Sequence, residues 1–281
     1  GATNLLTGVA HAQLAGIPLL VITGQKPIKK SKQGQFQIID VVKMMTPVTK
    51  YSATIISSDR MPSMVREAVK LALAERPGAS HLELPEDIAE EICRAGPITP
   101  HKVRRPNADT KAIGLALEEI EKSRHPLVVL AAGGNRKLVR KQLHIFLNKT
   151  GIPFTSTQMG KGVEDESSPL YIGTTALSDG DYVHQALRRA DLIIMIGHDI
   201  SEKPPIALNG EDCKVIHINF SPADVDDIYI PTHEVVGDIS NTLWSFTKKI
   251  KINPAWDFKY FFKVKNILEK DIAKFAESLE F

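Results

Sequence analysis

The sequence predicts an α/β protein: a doubly wound parallel sheet preceded by a second, partial α/β unit. Three observations carry this reading. Continuous apolar strands alternate with amphipathic helical stretches, as in a parallel sheet covered on both faces. At 281 residues the chain exceeds the usual size of one domain. The stretch 96–107 holds Pro97, Pro100 and Pro106 with Arg104 and Arg105 and no periodicity, which reads as a linker.

Each element follows from its local pattern. Leu5, Leu6, Val9, Ala10 and Leu14 recur at helical spacing, with Thr3 or Asn4 available as N-cap. No initiator Met and no strand stand ahead of this helix, so the chain reads as entering in mid-fold. Residues 17–23 form a strand closed by Gly24, residues 25–39 a polar and basic loop, and residues 40–45 a short helix. A strand at 51–56, an amphipathic helix at 62–74, a turn at Arg76-Pro77-Gly78 and a strand at 80–85 complete the first unit. In the second, helices are predicted at 108–122, 135–149 and 183–190. Strands are predicted at 126–132, 153–156, 191–197, 214–219 and 234–237. From about 251 onward the chain is amphipathic and ends without a stop signal.

Composition removes several classes of function. The net charge of +2 is too small to imply a nucleic-acid or membrane partner. Cys93 and Cys213 lie far apart without metal-ligand spacing, which fits a reduced cytoplasmic compartment. No apolar run reaches membrane-spanning length. The nine histidines include no zinc motif, and neither a nucleophile elbow nor a P-loop occurs. Asp179-Gly180-Asp181 and Gly237-Asp238 with Asn241 only superficially suggest a metal-diphosphate loop and read as turns.

Sheets of this kind bind ligands at the carboxyl ends of their strands, and two glycine-bearing strand ends stand out. Gly133-Gly134 lacks the spacing of a dinucleotide fingerprint and reads as a tight turn. The polar run His198-Asp199-Ile200-Ser201-Glu202-Lys203 reads as a solvated loop stopped by Pro204 and Pro205, with a ligand site as the open alternative.

Residue logic stops there, and resemblance goes further. Gly1-Ala2-Thr3-Asn4-Leu5-Leu6-Thr7-Gly8, the run from Gly16 to Gln25, Gln35-Phe36-Gln37 ahead of Asp40, and Arg76-Pro77-Gly78 before Leu84-Pro85 are one set. In sequence and spacing this set resembles the pyrimidine-binding domain of acetolactate synthases. Residues 108 to about 250, with Gln158-Met159-Gly160-Lys161-Gly162, resemble the central domain of the same family. The resemblance divides the chain into 1–95, the C-terminal part of the pyrimidine-binding domain; 96–107, a linker; 108–250, the central domain; and 251–281, an interdomain segment.

The resemblance implies a cofactor, thiamine diphosphate with Mg, and 2-oxo acid substrates. One 2-oxo acid is decarboxylated and the remainder joined to a second, in a homodimer or tetramer. It places Gly1, Ala2, Thr3, Asn4 and Gln25 near the cofactor, and Phe36 and Gln37 facing the substrate. On bare sequence Gln25 is a turn residue and Gln37 a solvated loop residue. The family's catalytic glutamate precedes the first motif, and its metal-diphosphate loop follows the central domain. The chain is therefore expected to be inactive alone. Arginines that flavin-binding relatives carry are replaced by Thr46 and by the loop at 198–203, which disfavours FAD. Two other readings stay open: another 2-oxo acid decarboxylase or carboligase, and a non-catalytic binding module.

Overall fold

Helix α1 (Ala2–Leu14) runs ahead of strand β1 (Leu19–Gln25), as the periodicity implies. The computed structural model describes residues 1–29, 38–99, 105–175, 182–199, 201–202, 213–223 and 229–278. Neither Thr3 nor Asn4 caps α1. The helix already begins at Ala2, so both lie inside its first turn, and Gly1 is the N-cap without a side-chain bond. After α1 and β1 come α2 (Val41–Met45), β2 (Tyr51–Thr54), α3 (Met61–Leu73), β3 (Ala79–Pro85) and α4 (Glu86–Ala89). Asp40 caps α2, its carboxylate accepting from the Lys43 N–H at 2.9 Å. The three strands are parallel in the order β1-β3-β2.

Alternation along the strands separates two small cores. Leu19, Val21 and Ala79 meet Val9 of α1 and Val41 and Met45 of α2. Leu20 and Leu82, from the opposite face, meet Ala68 of α3 and Ile88 of α4. This sheet is thus covered on both sides, the condition a parallel ladder needs.

A second compact unit begins at Arg105. It contains α5 (Thr110–Lys122), β4 (Pro126–Leu130), α6 (Lys137–Thr150), β5 (Phe154–Ser156), β6 (Tyr171–Thr174), α7 (Tyr182–Arg189) and β7 (Leu192–Ile196). These are followed by β8 (Lys214–Asn219), β9 (His233–Val236), α8 (Ile239–Lys249) and α9 (Lys259–Ser278). All six strands are parallel in the order β6-β5-β4-β7-β8-β9. Every residue of β4 and β7 is buried, which is why both read as unbroken apolar runs. Val128 and Leu130 point into a core shared with α5, α6 and α8, and Leu127 and Val129 into one shared with α7 and α9.

Beside the one-turn helix α4, two elements escaped the sequence pattern. Strand β6 is short and carries Gly173, so its period is hidden. Helix α8 starts at the predicted turn Gly237-Asp238, because Asp238 is its N-cap and accepts from the Asn241 N–H at 2.9 Å. The stretch read from sequence as an interdomain segment supplies α9, whose Phe261 and Val264 are buried in the second core.

Candidate functional site

The carboxyl ends of β1 and β3 and the N-termini of α1, α2 and α4 converge on a cleft of about 630 Å³. Its walls include Gly1, Ala2, Thr3, Gly24, Gln25, Lys26, Leu84 and Glu86. Ile22 and Ile39 also line it, and both are about half exposed, at 55% and 45%. An α/β sheet offers its ligand this end, where helix N–H groups point outward. Gly1 and Gly24 face open space, with no atom within 4 Å of where a Cβ would stand. A flat group can therefore approach the backbone closely at both.

Of the residues singled out from sequence, Gly1, Ala2, Thr3 and Gln25 meet in this cleft. Asn4 is exposed and does not line it. Phe36 and Gln37 lie outside the described residues.

Gln25 is held by a polar system that sequence reasoning missed. Its amide nitrogen donates to the Glu83 carboxylate at 2.9 Å and to the Ile39 carbonyl at 3.1 Å. Its side-chain oxygen accepts from the Lys26 N–H at 2.9 Å. Glu83 also accepts from the Thr54 hydroxyl at 2.7 Å. One step deeper, buried His81 lies between the Thr23 and Ser52 hydroxyls, each at 2.8 Å. Ser52 donates to the Val42 carbonyl, so His81 Nδ1 donates to Ser52 and Nε2 accepts from Thr23. Burial holds the His81 imidazole below its ordinary pKa, with Glu83 offsetting part of the effect. Two polar rungs thus cross all three strands, Thr23–His81–Ser52 and Gln25–Glu83–Thr54. The available signal was the spacing of two between polar residues in each strand, at 23 and 25, 52 and 54, and 81 and 83.

In the second unit, Gly133-Gly134 forms a tight turn after β4, as predicted. In the polar run after β7, Glu202 departs from the solvated loop expected, while Ile200 and residues 203–212 lie outside the described residues. Glu202 is turned inward and only 4% exposed, because backbone and hydroxyl donors at neighbouring strand ends take up its carboxylate. Among the described residues no cluster of His, Cys, Asp and Glu could hold a metal, and no helix is long and apolar enough to cross a membrane.

Residues 113–246 match the central domain of thiamine pyrophosphate enzymes, and residues 1–44 match their N-terminal domain, described as TPP binding. The chain belongs to the thiamine pyrophosphate enzymes. The N-terminal match includes most of the cleft wall, from Gly1 through Gln25 to Val41.

Curated relatives of this thiamine pyrophosphate enzyme chain include an acetolactate synthase of Arthrospira platensis. It is 31% identical over 256 residues, which span 86% of this chain and 44% of the relative. An acetolactate synthase large subunit of Porphyra purpurea is 28% identical, over 90% of this chain and 44% of its own length. The chain thus spans under half the length of these relatives. A solved structure from Mycobacterium smegmatis, described as a thiamin diphosphate-dependent enzyme, shares the fold. Its TM-score is 0.77 at 22% identity, over 90% of this chain and 50% of that one.

The described residues fit one end of the thiamine cofactor. Exposed Ile22 and Ile39 offer an apolar surface for a ring, and Gly1 and Gly24 let it reach the backbone. For the other end, no group of three or more His, Cys, Asp and Glu among the described residues could hold a metal ion.

Proposed function

We propose that this chain is one part of a thiamine-diphosphate-dependent carboligase of the acetolactate-synthase type. Such an enzyme decarboxylates pyruvate and joins the product to a second 2-oxo acid. The observation that carries the reading is the cleft at the carboxyl ends of β1 and β3, built from residues that match a TPP-binding domain and floored by exposed Ile22 and Ile39. The names of the curated relatives favour acetolactate synthesis over other chemistry of the same family.

In this reading the cofactor supplies the carbon chemistry, and the protein supplies position and proton control. Gly1, Ala2 and Thr3 present the first turn of α1 to the aminopyrimidine end, and Asn4, which does not line the cleft, takes no part. Gln25, clamped by Glu83, shapes the cleft rim, and Phe36 and Gln37 face the 2-oxo acid. Residues 1–95 act as the pyrimidine-binding part, 96–107 as a linker, 108–250 as the central domain and 251–281 as the segment beyond it. Magnesium and diphosphate ligands come from polypeptide other than the described residues, in a cytoplasmic homodimer or tetramer.

The 281-residue chain by itself is therefore expected to be inactive. Incubated with pyruvate, thiamine diphosphate and Mg, it should release no carbon dioxide above the uncatalysed rate. Turnover would show that the cleft is complete. In the longer enzyme, Ile22→Asp should raise the thiamine diphosphate concentration needed for half-maximal acetolactate formation at least tenfold, because a carboxylate replaces the apolar floor. An unchanged requirement would remove Ile22 from the site, and a longer enzyme that makes no acetolactate would remove the reading.

A further inference from the structure

The second sheet has its topological switch point between β4 and β7, since the chain runs from β4 outward to β6 on one side and from β7 to β9 on the other. A crevice outside the strand ends at such a point is where doubly wound sheets take phosphate-bearing ligands. Here backbone closes it. The Ala131 N–H donates to the Ile196 carbonyl at 3.0 Å, and the Gly133 N–H to the Gly197 carbonyl at 2.8 Å. The two turns are packed so closely that a Cβ on Gly197, whose φ is +72°, would stand 2.5 Å from the Gly134 nitrogen.

The donor that remains at this turn is already engaged. The Ala132 N–H donates to Glu202 Oε1 at 2.9 Å, and the Asp199 N–H reaches the same oxygen at 3.1 Å. The buried Thr157 hydroxyl, just past β5, donates to Glu202 Oε2. Thr157 is itself set by accepting from the Gly160 N–H at 3.0 Å. Groups from the ends of β4, β5 and β7 therefore converge on one carboxylate, as they would on a phosphate oxygen. Burial pushes the Glu202 carboxyl up from its ordinary pKa, and the donors from Thr157, Ala132 and Asp199 work against that.

We propose that Glu202 is the resident anion of the switch-point cradle, holding the donors a ligand phosphate would need and so excluding flavin and nicotinamide dinucleotides from the second unit. The exclusion is steric as well as electrostatic, because the carboxylate fills the space over the Ala132 N–H. It concerns the second unit alone and stands or falls independently of the carboligase reading.

The test uses the 281-residue chain, with pyrophosphate and FAD as probes at matched ionic strength. Wild type and Glu202→Gln should show no saturable rise in Tm with either probe, since the amide keeps one oxygen over both N–H groups. Glu202→Ala should gain a saturable pyrophosphate-dependent rise, with an apparent Kd at least tenfold below any seen for wild type. Saturation of wild type at micromolar FAD or pyrophosphate would overturn the proposal, as would a folded Glu202→Ala variant indistinguishable from wild type. Should that variant not fold, proton NMR on the wild type still decides. The Ala132 and Asp199 amide protons should titrate together with one carboxyl group, and the titration should vanish in Glu202→Gln. Amide protons insensitive to that substitution would overturn it.

Discussion

Glu83 and Glu202 are carboxylates at the ends of parallel strands, each 6% exposed or less, yet their surroundings differ. Glu83 joins side chains of neighbouring strands beside an open cleft, so its loss should be felt as stability and as Gln25 mobility. Glu83→Ala leaves the Thr54 hydroxyl and the Gln25 amide short of an acceptor. It should lower the stability of the first unit by about 1–3 kcal/mol in urea unfolding followed by circular dichroism. A change under half a kilocalorie would mean water replaces the carboxylate freely. The buried histidines set a pH dependence. His198 is held down at about 4 by burial first and by His217 second, with Asp199 opposing. His217 donates from Nε2 to the Ser221 carbonyl and accepts at Nδ1 from the Tyr229 hydroxyl, and burial lowers it as well. Above pH 6.5 these rings are neutral folded or unfolded. Below it the unfolded chain takes up protons that the folded chain refuses, so stability falls between about pH 6.5 and 4, for His198 by roughly 3 kcal/mol. Glu202 acts with opposite sign, because its raised value makes its share of stability disappear as pH rises through it. The wild type should therefore lose more stability than His198→Phe between pH 7 and pH 5. Parallel urea midpoints for the two proteins would contradict the assignment.

At the scale of elements, packing outweighs capping. Helix α8 carries both, with Asp238 at its N-cap and Phe246 buried against Phe146 of α6 at a ring separation of 6.2 Å. Asp238→Ala gives up one side-chain bond to the Asn241 N–H and should cost about 1 kcal/mol. Phe146→Ala leaves a cavity between α6, α8 and the sheet and should cost about 3–5 kcal/mol. Tryptophan fluorescence during urea unfolding ranks the two, since Trp244 lies on α8 itself. Equal losses would mean that α8 is held by its ends rather than by its face.

At the scale of the whole molecule, the two units differ in how much core they own. The first has a three-stranded sheet with two small cores, whereas the second buries six strands between two helical layers. The first should unfold at lower urea. Both tryptophans, Trp244 and Trp256, belong to the second unit, so fluorescence reports that unit alone while far-ultraviolet circular dichroism reports both. The dichroism transition should begin earlier and be broader than the fluorescence transition. Coincident curves would mean that the units unfold as one cooperative body.

Apart from β6, the alternation of strands and helices from Pro126 to Val236 was legible because a strand buried on both faces must be apolar throughout, and β4 and β7 are. The family and its cofactor were legible in the first 25 residues, and the cleft gathers Gly1, Ala2, Thr3 and Gln25 from that stretch. Asn4 stood out equally in the sequence yet lies apart, one residue further along α1 than the stretch Gly1 to Thr3 that reaches the cleft. Tertiary structure alone decided the rungs through His81 and Glu83 and the inward turn of Glu202. Both depend on which strand ends lie side by side, β3 between β1 and β2 and β4 between β5 and β7. Local periodicity records which face a residue takes, but carries no term for its neighbour across the ladder. Glu202 therefore reads in sequence as one more charge in a polar loop, and in the fold as the anion that three strand ends hold.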